Sequence, residues 1–257
     1  MQQDLLMDKD KRPSIELRRA ADRQESRAAG IVSRHSFAFG PHYDPANTRF
    51  GALVAHNDDV LEHGAGFPEH PHRDLEIVTW VVSGALQHTD SAGGSAIVRP
   101  GMVGRLSTGA GVRHTETNAW SGGSGGSGGS GETRYIQMWI MPDAEGLPSY
   151  DTADVSATLG SGQFVTVASG REPAPVSLRC NASLFVARLP AGASAAIPAA
   201  GLLHVFVARG TVVMASDAGQ HPLTEGDAAR LSGAARVWVE AIDVAEVIVW
   251  GIGPKIR

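Results

Sequence analysis

The sequence has few of the features that mark secreted or membrane-embedded proteins. Its 257 residues include a single cysteine, Cys180, which excludes an intramolecular disulfide. No stretch approaches the roughly 18 apolar residues of a membrane helix. The N-terminal segment MQQDLLMDKDKRP also lacks the continuous apolar run of a secretory signal. We therefore expect a cytoplasmic protein that has no membrane partner.

Clusters of basic charge are also missing. The chain has 22 Lys and Arg against 27 Asp and Glu, a formal net charge of -5, and no basic run offsets that balance. Nucleic-acid-binding surfaces are basic, so we expect no direct nucleic-acid partner. Hydrophobic residues make up 42% and charged residues 19% of the chain, which is typical of a globular protein.

Helical periodicity is nearly absent, and only residues 150–158 predict a short helix. Short segments rich in Val, Ile, Phe and Trp instead recur at about ten-residue intervals, separated by turn residues, which is typical of an all-β sandwich or barrel. The 31 glycines and 14 prolines predict many tight turns. The predicted strands include 77–82, 135–140, 164–168, 183–189, 204–208, 237–241 and 246–250.

The chain length and a short internal repeat predict two domains. A chain of 257 residues exceeds the usual length of one domain, and we divide it into residues 1–145 and 146–257. Segments 78–84 and 99–107 in the first half resemble segments 204–210 and 224–232 in the second. Each pair reads as a strand, a glycine turn and a further strand. The prediction is two related β-barrels in tandem.

One segment differs from the rest in composition. Residues 121–131 read SGGSGGSGGSG, a perfect Gly-Gly-Ser repetition that has no side chains able to pack. Such a sequence predicts a flexible surface loop, and its regularity favours an engineered replacement over a natural loop. It lies between two predicted strands of the first domain.

Two pairs of metal-ligating residue types share the same spacing. His70 and His72 are two residues apart, as are His114 and Glu116, and residues two apart on a strand share one face. Facing pairs on neighbouring strands can surround one ion. Ordinary surface or hydrogen-bonded core histidines are the competing interpretation, which two such pairs make less favourable. The spacing leaves open whether Glu116 or Glu76 supplies the carboxylate, because alternation predicts that Glu76 shares the face of His70 and His72.

The remaining histidines have no partner at ligand spacing and are expected to be structural or exposed. Of these, His42 and His56 are the two that we expect to approach the pocket. The set consists of His35, His42, His56, His63, His88, His204 and His221.

Longer motifs resemble a known family. The arrangement Gly64-x5-His70-Pro71-His72-x3-Glu76, followed by Gly111-x2-His114-x3-Asn118, resembles the two cupin motifs. More narrowly, the chain resembles the pirin family, most strongly from about residue 34 to residue 142. The segments that carry this resemblance are RHSFAFG (34–40), YDP (43–45), NDD (57–59), FPEHPHRD (67–74), QHTDSAGG (87–94), GAGVRHTE (109–116) and QMWIMP (137–142).

The resemblance implies an all-β bicupin of two tandem antiparallel jelly-roll barrels, with one divalent metal in the N-terminal barrel. The family ligands fall on His70, His72, His114 and Glu116. Glu76 then becomes a neighbouring pocket carboxylate, and either glutamate could act as the catalytic base. Iron is the first expectation for the metal, although Cu, Mn, Co, Ni or Zn also suits these donors.

The second barrel is not expected to bind a metal. When Gly210 is aligned with Gly84, the positions of His70, His72 and Glu76 fall on Ala196, Pro198 and Leu202. The region of His114 falls on residues 237–239, which are also without suitable donors. Apolar candidates for the pocket wall in the first barrel are Phe37, Phe39, Phe67 and Met138.

Resemblance to bacterial pirins implies quercetin 2,3-dioxygenase activity, with a flavonol and O₂ as substrates. We expect the protein to be a monomer. The alternative is a non-catalytic metal or redox sensor that binds a protein partner, as eukaryotic pirins imply. Fold and metal together do not decide between these functions.

Overall fold

The computed structural model describes residues 14–121, 131–233 and 236–254. Residues 122–130, most of the Gly-Ser segment for which a flexible loop is predicted, lie outside the described residues. The only α-helix of the described chain is the four-residue α1 (Ser156–Leu159), and none of its helices could cross a membrane. Two single-turn 3₁₀ helices occupy Ala20–Asp22 and Pro45–Asn47.

Strands form almost all of the regular structure, as predicted. In the first part of the chain they are β1 (Ser14–Arg18), β2 (Gln24–Ala28), β3 (Ile31–His35), β4 (Leu53–Leu61), β5 (Gly66–His72), β6 (Glu76–Ser83), β7 (Leu86–Asp90), β8 (Ser95–Val98), β9 (Met102–Ser107), β10 (Val112–Asn118), β11 (Thr133–Ile140) and β12 (Ser149–Asp154). They continue as β13 (Val165–Ser169), β14 (Val176–Ser177), β15 (Ala182–Leu189), β16 (Ser194–Ala196), β17 (Leu202–Arg209), β18 (Thr211–Ser216), β19 (Gly219–Thr224), β20 (Ala228–Ser232), β21 (Val237–Ala241) and β22 (Ala245–Ile252).

The strands build two barrels of the same design, which confirms the expected pair of antiparallel barrels. Each barrel has a seven-stranded sheet and a four-stranded sheet. The large sheets contain β9-β6-β11-β4 and β20-β17-β22-β15 at equivalent places, and the small sheets run β5-β10-β7-β8 and β16-β21-β18-β19. The repeated segments of the sequence are therefore equivalent strands of two related barrels.

Strand exchange ties the two barrels together. The N-terminal strand β1 pairs with β20 at the edge of the second large sheet, and β12 pairs with β9 at the equivalent edge of the first. The chain division at residues 145 and 146 stays a prediction, and strand pairing crosses it at both places.

The helix predicted at residues 150–158 is wrong over most of its length. Residues 149–154 form β12, and only Ser156–Leu159 are α-helical. The edge of β9 offers a full ladder of backbone hydrogen bonds to this segment. Tyr, Thr and Asp have low helix propensity, so the segment gains more from pairing with β9 than from forming a helix.

The two large sheets pack face to face and share one apolar core. Val78, Trp80 and Met138 of the first barrel join Phe206 and Trp250 of the second in this cluster. The Trp250 indole N–H lies 3.1 Å from Met138 Sδ. Strands β6 and β11 are buried along most of their length, and the nearly continuous apolar run of β6 is typical of a strand covered on both faces.

A buried carboxylate completes the same interface. Trp80 Nε1 donates to Glu246 Oε1 at 2.7 Å, and Arg188 Nε donates to Glu246 Oε2 at 2.5 Å. Glu246 is 5% exposed and Trp80 is fully buried, so this carboxylate satisfies an indole N–H that water cannot reach.

Replacing Glu246 with leucine should lower the free energy of unfolding by about 2 kcal/mol, because the Trp80 N–H then stays buried without an acceptor. Urea denaturation measures this loss. The matched control is Glu240→Leu, at an exposed position of β21, which should change stability by no more than about 0.5 kcal/mol. An equal loss in the two variants would contradict the role of Glu246.

Candidate metal centre

Three histidines converge on the inner face of the small sheet of the first barrel. Strands β5 and β10 pair antiparallel with His70 opposite His114, and His72 lies two residues further along β5 on the same face. The ring centroids are 4.4 Å apart for His70 and His114, 4.9 Å for His70 and His72, and 5.0 Å for His72 and His114. One nitrogen of each ring lies within 4.8 Å of one nitrogen of each of the others.

The hydrogen bonds of these rings leave Nε2 free. His70 Nδ1 lies 2.8 Å from the Pro68 carbonyl oxygen, which can only accept, so this nitrogen carries the proton and Nε2 keeps its lone pair. The Nε2 atoms of His72 and His114 are buried and have no hydrogen-bond partner among the described residues. Buried polar atoms without partners are uncommon, and a metal ion would satisfy these.

Burial also keeps two of the rings neutral. Loss of solvent lowers the pKa of His72 to about 4 and that of His114 to about 2, with smaller contributions from the neighbouring imidazoles. Neutral imidazole is the form that binds metals. The donor set therefore fits a divalent transition metal.

Glu116 lies in the same cavity, with an oxygen within 4.8 Å of ligand nitrogens of His114 and His88. A β-bulge between His114 and Glu116 places Glu116 opposite Phe67 of β5, whereas a regular antiparallel ladder would place it opposite Pro68. Both carboxylate oxygens accept from Gln137 Nε2 at 2.7 Å. Burial raises the pKa of Glu116 to about 7, against the lowering effect of that amide.

Gln137 is held in turn by Trp139, which the sequence did not single out for this role. Trp139 Nε1 donates to Gln137 Oε1 at 2.9 Å, which orients the Gln137 amide with its N–H groups toward Glu116. The Trp139 ring also packs edge-on against His72 at 4.8 Å.

Glu76 does not lie among the ligands, contrary to the expectation that it shares the face of His70 and His72. Its carboxylate accepts from the Ser107 hydroxyl and lies 4.0 Å from Arg105 Nε, at a different pocket that Arg179 also lines. The chain turns between β5 and β6, with Asp74 at a φ of 56°, and the two strands belong to different sheets. Alternation therefore does not carry across residues 73–75, and a catalytic role for Glu76 finds no geometric support.

His88 is the residue that spacing reasoning missed. It is buried on β7 and pairs with Glu116 in the ladder between β7 and β10, where its Nδ1 lies 3.4 Å from His114 Nδ1. Burial lowers the pKa of His88 and favours its neutral form. The His88-x-Asp90 spacing, two residues on one strand, is the signal that could have identified it.

A cavity of about 210 Å³ adjoins His70, His72 and Glu116. Phe39 and Phe67 line it, as predicted, whereas Phe37 and Met138 belong to the core between the barrels. Met138 faces away because Gln137 and Trp139, its neighbours on β11, face the cavity. The other lining residues are Ser33, Asn57, Asp59, His70, His72, Glu116, Gln137 and Trp139.

The two histidines expected near the pocket do not line this cavity. His56 is fully buried between the barrels, where its ring lies 4.8 Å from that of His204. His42 lies beside His35, at 5.9 Å between the ring centroids.

The positions aligned with the ligands in the second barrel are apolar. Ala196 ends β16, Leu202 begins β17, and Val237 and Val239 face the inside of the barrel from β21. Among the described residues, both groups of three or more potential metal ligands lie in the first barrel.

Known proteins similar to this chain include members of the Pirin family. The sequence profile of the Pirin family matches residues 17–140. A Mycobacterium tuberculosis protein named "Putative quercetin 2,3-dioxygenase" is 41% identical over 95% of this chain and 97% of its own length. A Caulobacter vibrioides "Pirin-like protein" is 32% identical over 85% of this chain and 91% of its own. A bacterial pirin from Escherichia coli, solved with nickel(II), superposes with a TM-score of 0.80 at 28% identity, over 94% of this chain and 100% of its own.

His114→Ala should lower the metal content of the purified protein by about tenfold or more, because it removes a ligand, and even changes outside the ligand shell lower metal affinity by roughly 10- to 100-fold. Elemental analysis of protein purified without added metal measures this. His63→Ala, at an exposed position on the same barrel, is the control and should keep the wild-type content. Unchanged metal in His114→Ala would refute the assignment.

The contribution of Asp59 to the stability of the metal-free protein should fall as pH rises from about 4 to about 8. Burial raises the pKa of Asp59 from 3.8 to about 8, so across this range the folded protein holds a proton that the unfolded chain has released. Between pH 5 and pH 8 the change in the free energy of unfolding should therefore be more favourable in Asp59→Asn than in wild type, by at least about 1 kcal/mol.

Urea denaturation of chelator-treated protein at the two pH values checks this difference. Asp217→Asn, in an exposed turn, should keep the wild-type dependence. The same pH dependence in Asp59→Asn and wild type would show that Asp59 is already ionised in the folded protein.

Proposed function

This chain belongs to the pirin family, and we propose that it is a metal-dependent dioxygenase that acts on flavonols such as quercetin. The observation that carries the proposal is the convergence of His70, His72 and His114 beside a partly apolar cavity, with the Nε2 atoms of His72 and His114 buried and unpartnered among the described residues. The name of the mycobacterial relative supports the reaction class.

In the proposed site the three histidines and Glu116 hold one divalent transition metal. We take iron as the first choice, and Cu, Mn, Co, Ni or Zn also suits this set of nitrogen and oxygen donors. The bound metal would supply Lewis acidity toward a substrate hydroxyl and redox chemistry toward O₂.

The side chains of the cavity have roles that their positions support. Glu116 Oε would accept the flavonol hydroxyl proton, since it lines the same cavity and a bound cation would keep its carboxylate ionised. Gln137 fixes the orientation of that carboxylate, and Phe39 and Phe67 exclude water from the reacting ring.

The size of the cavity limits how the substrate enters. Its volume of about 210 Å³ is below the roughly 300–1,000 Å³ of pockets that enclose drug-sized ligands. We infer that one hydroxylated part of the flavonol enters beside the histidines. The remainder would extend past Trp139, which is only partly buried.

Oxygen uptake tests the function directly. Protein that is stripped of metal and reloaded with Fe(II) should consume O₂ when quercetin is added, and flavonol absorbance should fall in parallel. His114→Ala should lower the rate by about 100-fold or more, and His63→Ala should not change it. A loaded wild-type protein that consumes no O₂ with any flavonol would refute the dioxygenase and leave redox-dependent partner binding as the alternative. The monomeric state and cytoplasmic location stay predictions from the sequence.

A further inference from the structure

The carboxylate of Asp90 is fixed by the turn between β7 and β8. Its Oδ1 accepts from the backbone N–H groups of Ala92 at 2.8 Å and Gly94 at 3.0 Å. Its Oδ2 lies 2.9 Å from His88 Nε2. Asp90 and His88 are both buried, so neither oxygen can exchange these partners freely for water.

The His88 ring is held between Asp90 and His114. Its plane lies 6° from that of Tyr150 at 3.8 Å between centroids, a stacking contact supplied by the exchanged strand β12. Its Nδ1 lies 3.4 Å from His114 Nδ1, a long hydrogen bond. Both nitrogens of His88 are therefore engaged, and His88 is not itself available as a metal ligand, although it lies close to His114 and Glu116.

The positions of the protons follow from these contacts. A carboxylate only accepts, so the neutral His88 ring carries its proton on Nε2 and presents a lone pair at Nδ1. His114 must then donate from its own Nδ1, which leaves the lone pair on Nε2. That Nε2 is buried and has no hydrogen-bond partner among the described residues, and its ring lies 4.4 Å from that of His70 and 5.0 Å from that of His72.

We propose that Asp90 and His88 form a positioning pair that holds His114 in its metal-binding tautomer. The pair acts through His114 and does not touch substrate. A metal-bound histidine commonly donates its second N–H to an acceptor that fixes the orientation of the ring. Here the acceptor is Nδ1 of the neutral His88 ring, because the Asp90 carboxylate holds the proton of His88 on Nε2. The inference rests on the proposed metal site and adds two residues to it.

Asp90→Asn is the sharpest test because the turn dictates how the new amide must lie. The two backbone N–H groups require the carbonyl oxygen at the place of Oδ1, so the NH₂ group faces His88 Nε2. His88 must then move its proton to Nδ1 and become a donor toward His114. His114 in turn must place its proton on Nε2, where it blocks the metal.

Two measurements follow this change without enzyme turnover. The affinity for Co(II), measured by competition with a chelator, should fall by about 10- to 100-fold in Asp90→Asn. Nitrogen-15 NMR of the metal-free protein should show His114 protonated on Nδ1 in the wild type and on Nε2 in the variant. A merely structural role for Asp90 would not move that proton.

Asp44→Asn is the matched control. Asp44 also accepts a backbone N–H with Oδ1, from Ala46 at 2.9 Å, but no histidine contacts its second oxygen. It should keep the wild-type Co(II) affinity. His88→Phe is the second variant, because it keeps a ring against Tyr150 and removes both hydrogen bonds. It should weaken Co(II) binding to a similar extent while the far-ultraviolet circular dichroism stays unchanged.

The outcomes separate the positioning pair from the metal site itself. A wild-type protein that binds no Co(II) would overturn the metal site and the pair together. The pair alone would be overturned if the wild-type protein binds Co(II) and a folded variant, Asp90→Asn or His88→Phe, binds it within about twofold of the wild-type affinity. In that outcome His114 would still be protonated on Nδ1 in the variant. If Asp90→Asn does not fold, His88→Phe decides the question by the same affinity criterion.

Discussion

The large sheet of the first barrel is buried on both faces, and the rest of the molecule depends on this constraint. Residues alternate along β11, so Met138 packs against Trp250 of the second barrel while Gln137 and Trp139 face the cavity. The same alternation on β4 directs His56 toward the second barrel and Asp59 toward the cavity. A shift of one residue in either strand would exchange the core between the barrels with the wall of the site.

The electrostatics of the cavity follow from the same burial. Taking ionisable groups out of water favours their neutral forms, so the pKa values of His72 and His114 fall while those of Asp59 and Glu116 rise. In the metal-free protein, neutral forms of the imidazoles and of the carboxylic acids are therefore favoured around the same cavity. A divalent cation would reverse this balance for Glu116, since a nearby positive charge stabilises the carboxylate.

The two barrels share a design but have taken different roles. The first places donors on the inner face of its small sheet, whereas the second has Val237 and Val239 at the matching strand and fills that space with an apolar core. The second barrel contributes instead to the interface, through Phe206, Trp250 and Glu246. Strand β12 also supports the site, because its Tyr150 stacks on the His88 ring.

The sequence by itself determined the fold class, the duplication and the shared face of His70 and His72. These are properties of periodicity within strands and of spacing on one strand, which depend only on local geometry. Only the tertiary structure decided what lies across turns and between sheets. It placed Glu76 at another pocket because the chain turns at Asp74, and it brought His88 to His114 through strand pairing. It also assigned Met138 and Phe37 to the interface, because an apolar residue on a doubly covered strand is equally suited to either face, and only packing chooses between them.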